Sequence, residues 1–133
     1  MERSNDWIEQ AEYDLRHARN DMESGFHNWA SFSAQSRSGG TEKAVKSVFQ
    51  KLGAEAWGHS VADLLQELPE PYKVDEELMN AALELDKAYI PTRYPNAHPS
   101  GAPATRYTKE EARRLIEHAE KIFKFCSDLL SQI

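Results

Sequence analysis

The chain has 133 residues, which fits one domain spanning residues 1–133, and its 29% charged and 40% apolar residues are typical of a folded protein. Its net charge of −6 argues against a broad, nonspecific grip on DNA or RNA, because neutralising phosphates requires a surplus of lysine and arginine. No apolar run approaches the roughly 20 residues of a membrane span, and the N-terminus lacks the apolar core of a signal peptide, so we expect a cytoplasmic protein without membrane contact.

Apolar residues at helical spacing predict a first helix over residues 5–23. Ser4 or Asn5 is expected to cap its start, and Gly25 is expected to end it. The inward stripe would consist of Trp7, Ile8, Ala11, Leu15, Ala18 and Met22.

The stretch FHNWASFSAQ predicts a second helix that points Trp29 and Phe32 inward. A mobile loop is expected at Ser38-Gly39-Gly40, because glycine costs about 1 kcal/mol relative to alanine inside a helix. The next helix would begin with Thr41 as its cap and end at Gly53.

Three further helical patterns follow. WGHSVADLLQELP predicts a short helix closed by Pro69, and VDEELMNAALELDKAYI predicts another whose inward residues are Leu78, Met79, Ala82 and Leu83. In the last and longest helix, Thr108 and Glu111 form the sequence pattern of a capping box. Cys126 lies in the apolar seam of that helix, so we interpret it as a buried apolar residue rather than a nucleophile. With no alternating strand pattern, the sequence predicts an all-α antiparallel helical bundle.

Residues 89–107 interrupt this helical pattern with a proline-rich segment, and long loops in a compact domain are usually functional or disordered. Arg93 and His98 stand five residues apart around Pro95. An arginine can hold a phosphate bidentately and a histidine can transfer a proton near neutral pH, while Tyr94 could stack on a base. The alternative interpretation is that the tyrosines pack the segment onto the bundle and Arg93 pairs with a carboxylate such as Asp86.

Arg113 and His118 repeat that spacing in the last helix. Five helical residues turn about 500°, which leaves the two side chains about 140° apart, so they do not easily address one phosphate. Arg114 and His118 share a face and are most simply a solvated surface pair. None of the five histidines forms a metal-binding motif, and we expect no metal or other cofactor.

Several pieces in a fixed order resemble the HEPN domain family (higher eukaryotes and prokaryotes nucleotide-binding), of the small stand-alone prokaryotic type. The quoted pieces are DWIEQAEYDLRHARNDMESGFHNWASFSAQ, EKAVKSVFQKLG, WGHSVADLLQEL and LDKAYIPTRYPNAHPSGAPATRYTKEEA. The resemblance implies an up-and-down bundle of four main helices plus short extra helices, commonly a homodimer. It also implies a minimal nucleotidyltransferase as partner in a toxin–antitoxin-like pair.

Many HEPN proteins are metal-independent ribonucleases with an R-x-x-x-x-H-type motif, which in this sequence is best matched by Arg93 and His98 as the catalytic residues. Candidate nucleotide-binding residues are Arg93, Tyr94, Arg106 and Tyr107. Tyr94 and Pro95 directly after Arg93 depart from the motif of the active toxins, and this departure, with the acidic charge, favours a nucleotide- or partner-binding module. A ribonuclease and a non-catalytic structural dimer are the alternatives.

Overall fold

A computed structural model describes residues 2–34, 39–88, 100–102 and 108–133 of the chain. Within these ranges six α-helices follow one another, together with a 3-10 turn at Glu70–Tyr72. The helices are α1 (Ser4–Glu23), α2 (His27–Ala34), α3 (Gly40–Leu52), α4 (Val61–Gln66), α5 (Glu76–Lys87) and α6 (Lys109–Gln132).

Helix α6 is the centre of the bundle and packs against α1, α2, α3 and α5. Helix α1 also packs on α2 and α3, while the short α4 joins α5 to α3. The predicted all-α, up-and-down antiparallel bundle of four main helices (α1, α3, α5 and α6) with short extra helices is confirmed. The largest fully buried side chains are Val45, Val48, Val61, Leu64, Leu65, Leu85, Ile116 and Ile122. No helix in the described ranges combines the length and the apolar character that crossing a membrane requires.

The start of α1 differs from the prediction. Ser4 already belongs to the helix, Arg3 occupies the capping position, and neither Ser4 nor Asn5 provides a side-chain cap. Instead, the Ser4 N–H donates to the carboxylate of Glu2. The predicted stop is confirmed, because α1 ends at Glu23 and Gly25 has a φ of 86°, which favours glycine.

Gly40 was expected in a mobile loop, and this prediction is wrong. Gly40 is the first residue of α3 and is buried against α1. A Cβ at this position would lie 2.9 Å from the carbonyl oxygen of Ala11, so the glycine permits close approach of two helices rather than flexibility. Thr41 is not the cap either, since its hydroxyl lies inside the bundle and donates to the Ala34 carbonyl over 2.8 Å. The predicted end of α3 at Gly53 is confirmed by its left-handed conformation, with a φ of 74°.

Two side chains predicted to point inward are exposed instead. Trp29 is 50% exposed, because Ala30 and Ala34 provide the buried face of α2. Leu83 is 46% exposed on α5, whose buried face consists of Ala81, Ala82 and Leu85. The side chain of Phe32, also predicted inward, lies outside what the structure describes.

Helix α6 follows its sequence pattern closely. The Thr108 side chain accepts a hydrogen bond from the Glu111 N–H over 3.0 Å, which confirms Thr108 as the cap. Cys126 is fully buried, as predicted, and this burial raises the pKa of its thiol. A thiol that is hard to deprotonate and closed off from solvent is a packing residue.

Candidate functional site

The residues that the sequence singled out as a site, namely Arg93, Tyr94, His98, Arg106 and Tyr107, lie outside the described residues. The structure does describe the two helices that flank this segment in the chain, α5 before it and α6 after it. The segment begins directly after Ala88 at the end of α5, and α6 begins after Thr108. Between these points, Ser100 and Ala102 are exposed.

Asp86, close to the end of α5, holds the start of α4. Its carboxylate accepts hydrogen bonds from Ser60 Oγ at 2.8 Å, the Val61 N–H at 2.9 Å and the Ala62 N–H at 3.1 Å. Ser60 Oγ in turn accepts from the Asp63 N–H at 3.2 Å. The carboxylate therefore serves as a cap for α4 that is supplied by another helix, and we call these contacts the Asp86 clamp. Asp86 lies three residues before the start of the proline-rich segment. Sequence reasoning considered Asp86 only as a partner for arginine and missed this role.

A second polar cluster includes His59, which directly precedes Ser60 of the Asp86 clamp in the chain. His59 Nδ1 is 2.9 Å from Glu42 Oε1, and Lys46 Nζ is 3.4 Å from Glu42 Oε2. Glu42 is only 5% exposed, whereas half of the His59 side chain is open to solvent. Because Glu42 lies in the first turn of α3, the helix dipole also favours its negative charge. The sequence reasoning did not identify this Glu42–His59 pair, because the two residues are 17 positions apart.

The turn before α4 also presents an aromatic side chain. Trp57 is 78% exposed, and Gly58 follows it with a φ of 92°. A groove of about 130 Å³ passes beside Lys46. Its other lining residues are Trp7, Phe49, Gln50, Ala54 and Ala56.

Exposed aromatic residues also lie on α1, on α2 and in the connection between them. Tyr13 is 60% exposed and Phe26 is 57% exposed, in addition to Trp29. A wider groove of about 420 Å³ is lined by Tyr13, Arg16, His17 and Asn20 on one face of α1.

Arg114 and His118 were expected to be a solvated surface pair, and the structure corrects this. Arg114 Nε donates to Glu84 Oε1 over 2.6 Å and His118 Nε2 lies 2.9 Å from Glu84 Oε2, so both residues tie α6 to α5. Burial raises the pKa of Glu84, but these hydrogen bonds outweigh it, and the pKa lies below its ordinary value. Arg113 instead pairs with Glu110 and Glu117 on its own helix. As predicted, Arg113 and His118 face different partners.

The sequence profile of the HEPN domain matches residues 4–129. This chain belongs to the HEPN domain family. Solved structures agree with this assignment. TT1696 from Thermus thermophilus is 47% identical with a TM-score of 0.90, the alignment covering 96% of this chain and 98% of that one.

An HEPN domain protein from Thermotoga maritima is 53% identical to this HEPN chain with a TM-score of 0.77, over 96% of this chain and 98% of that one. ST0689, an archaeal HEPN homologue, is 37% identical with a TM-score of 0.79, over 98% and 99% of the two chains. A comparison with curated proteins gives no significant match.

Among residues 2–34, 39–88, 100–102 and 108–133 of this HEPN protein, no three His, Cys, Asp or Glu side chains converge as metal ligands. Just before α4, the His59 imidazole contacts the Glu42 carboxylate, which also has Lys46 as a neighbour, and the Trp57 indole is exposed. These groups suit contacts with an anion and an aromatic ring.

Proposed function

We propose that this HEPN protein binds a nucleotide, free or presented by a minimal nucleotidyltransferase partner in a toxin–antitoxin-like pair, through its segment 89–107. The observation that carries the proposal is the Asp86 clamp. Three hydrogen bonds fix the end of α5 to the start of α4, so the segment follows a helix end that is held in place. A rigid support is what a binding loop requires, because ordering a loose loop on binding costs free energy.

The composition of the segment supplies the chemistry of nucleotide recognition. Arg93 and Arg106 are suited to charge-assisted hydrogen bonds with phosphate, and Tyr94 and Tyr107 are suited to stacking on a base. The net charge of −6 favours a small ligand or a specific partner over long stretches of nucleic acid.

Calorimetric titration with ribonucleoside monophosphates tests the proposal. We expect the wild type to bind at least one of them and Arg93→Ala to weaken that binding at least tenfold, because a bidentate phosphate contact is lost. Arg3→Ala is the matched control, since Arg3 is an exposed arginine that pairs with Asp6 on α1. Equal affinity of Arg93→Ala and the wild type contradicts the proposed role of the segment.

A metal-independent ribonuclease is the second candidate, favoured by the R-x-x-x-x-H spacing of Arg93 and His98. In this reaction the ribose 2′-oxygen would attack phosphorus and the 5′-oxygen would leave. His98 would either take the proton from the attacking 2′-hydroxyl or give a proton to the leaving 5′-oxygen, and Arg93 would stabilise the extra negative charge on phosphorus. Incubation with RNA in the presence of a chelator tests it. Cleavage that is lost in both Arg93→Ala and His98→Ala supports the enzyme, and intact RNA at high protein concentration rejects it.

We also propose that the protein is a homodimer. Tyr13 on α1, Phe26 between α1 and α2, and Trp29 on α2 are each at least half exposed, and exposed apolar surface of this kind can mark a protein–protein contact. Light scattering across micromolar concentrations should give the mass of a dimer, and Trp29→Ser should shift it toward a monomer. Lys124→Ala, at an exposed position on α6, is the control, and a monomeric wild type contradicts the proposal.

A further inference from the structure

We propose that Ser33, His17 and Asp21 form a hydrolytic site for small carboxylic esters, in which Ser33 is the nucleophile and His17 its general base. This activity goes beyond the proposed nucleotide binding and does not depend on it. The proposal is carried by the two contacts of the His17 ring, by the burial of the Asp21 carboxylate and by the groove that His17 lines.

The His17 imidazole has a polar neighbour at each of its nitrogens. Nδ1 lies 3.3 Å from Ser33 Oγ on α2, and Nε2 lies 3.4 Å from Asp21 Oδ2, one turn further along α1. When Asp21 accepts the Nε2–H, Nδ1 is left as an acceptor for the proton of the Ser33 hydroxyl. A hydroxyl, an imidazole and a carboxylate in this order are the groups of a serine hydrolase triad, here with the roles of the two ring nitrogens exchanged.

The burial of Asp21 distinguishes this arrangement from an ordinary surface pair. Its Oδ2 is buried and forms no hydrogen bond with the residues that the structure describes, although buried polar atoms normally have such a partner. The His17 side chain, in contrast, is 57% exposed. A buried carboxylate beside an open imidazole is the arrangement that orients a base next to its nucleophile.

Both contacts of His17 are slightly longer than the roughly 2.6–3.2 Å of an assembled catalytic pair. Catalytic hydrogen bonds are often this loose before a substrate binds and tighten in the complex. Side-chain movements of about 0.3 Å at Ser33 and Asp21 bring both contacts into the hydrogen-bonding range.

The groove along α1 provides room for the substrate beside the base. His17 lines it together with Tyr13, Arg16 and Asn20, and its volume of about 420 Å³ lies within the roughly 300–1,000 Å³ of ligand pockets. Because Ser33 Oγ is 3.3 Å from the His17 ring, an ester carbonyl held in the groove can come within reach of the hydroxyl. Arg16 and Asn20 have N–H groups that can donate to the oxyanion formed by the attack.

The reaction consists of two balanced steps. Ser33 Oγ bonds to the carbonyl carbon while its proton passes to His17 Nδ1, and the bond to the leaving alcohol then breaks as the alcohol takes that proton. Water next attacks the acyl group on Ser33 and gives a proton to His17, which returns it to Ser33 Oγ as the acid leaves. One ester and one water are consumed, and one alcohol and one acid are released.

Labelling with a fluorophosphonate tests the nucleophile. Attack by Ser33 Oγ breaks the P–F bond, so mass spectrometry should find one phosphonyl group per chain and place it on Ser33. We expect His17→Gln to slow this labelling at least about a hundredfold, because a general base is lost, while thermal unfolding shows that the variant is folded. Ser131→Ala is the control and should label at the wild-type rate, since Ser131 Oγ donates to the Ser127 carbonyl instead.

Hydrolysis of p-nitrophenyl acetate tests turnover. The wild type should release more than one p-nitrophenolate per chain, and Ser33→Ala should lower the rate at least about tenfold, because the covalent route is lost. The absence of label on Ser33 in the wild type contradicts the proposal, and so does hydrolysis by Ser33→Ala at the wild-type rate. Neither result bears on nucleotide binding.

Asp21 is a positioning residue, and a spectroscopic measurement tests this role. Nitrogen-15 NMR should show the neutral His17 ring of the wild type as the Nε2–H tautomer, because Asp21 accepts that proton. Asp21→Asn should shift the ring toward the Nδ1–H tautomer and slow the labelling of Ser33 at least about tenfold. An Nδ1–H tautomer in the wild type would mean that the ring donates to Ser33 and does not activate it.

Discussion

Ser60 and Asp86 connect two helices through one hydrogen bond of 2.8 Å, from Ser60 Oγ to Asp86 Oδ2. The same carboxylate accepts the first two backbone N–H groups of α4, so a residue of α5 satisfies donors that a helix start leaves without partners. A six-residue helix is too short to be stable alone, and its position depends on such contacts.

Replacing Asp86 with alanine should destabilise the protein more than the loss of an ordinary cap. Three donors lose their acceptor at Asp86, whereas Asp75 caps α5 through a single N–H, that of Leu78. We expect about 2 kcal/mol for Asp86→Ala and about 1 kcal/mol for Asp75→Ala, measured by urea unfolding. Equal losses in the two variants would mean that the clamp between α4 and α5 contributes nothing beyond capping.

The close approach of α1 and α3 predicts the sign of a second substitution. Helix propensity alone would make Gly40→Ala stabilising by about 1 kcal/mol. The added Cβ would, however, lie 2.9 Å from the Ala11 carbonyl oxygen and 3.0 Å from Leu15 Cγ. We therefore expect a destabilisation of roughly 1–3 kcal/mol in urea unfolding, from overpacking. A variant more stable than the wild type would show that the helices are not in contact at Gly40.

Glu84 predicts a pH dependence of stability. Its pKa is lowered below the ordinary 4.5 in the folded protein by Arg114 and His118, which outweigh the raising effect of burial. The stabilisation is therefore fully present above about pH 4.5 and is lost as the pH falls through the lower folded pKa. Glu84→Gln should lower the free energy of unfolding at pH 6 and show a smaller further loss between pH 6 and pH 3. A variant with the acid dependence of the wild type would contradict this assignment.

Cys126 should be inert in the folded protein. Burial excludes reagents and raises the pKa of the thiol, and only the thiolate reacts with disulfide reagents. We expect no reaction with Ellman's reagent at pH 8 and one reactive thiol per chain after unfolding in guanidinium chloride. Rapid reaction of the native protein would show that the α6 seam opens easily.

Local patterns predicted much of the fold. Helix starts and ends were predicted correctly where they depend on one residue and its neighbours in the chain. Thr108 caps α6 with its own side chain, and Gly53 ends α3 through its left-handed backbone conformation. The predictions were wrong where a residue serves another helix. Thr41 binds the end of α2 rather than capping α3, and Gly40 allows α1 to approach.

The candidate site divides in the same way. The sequence singled out Arg93 and His98, which lie close together in the chain and outside the described residues. It gave no sign of the Glu42–His59 pair or of the Ser60–Asp86 clamp, because their members are 17 and 26 residues apart.

By itself, the sequence determined the helical class, the buried seam of α6 and the family, because helical periodicity and the order of motifs depend only on the order of residues in the chain. Only the tertiary structure decided which polar groups meet and which apolar groups stay exposed. Burial and hydrogen bonding depend on which helix packs against which, and that arrangement leaves Trp29 outside, Glu42 inside and His59 at the surface.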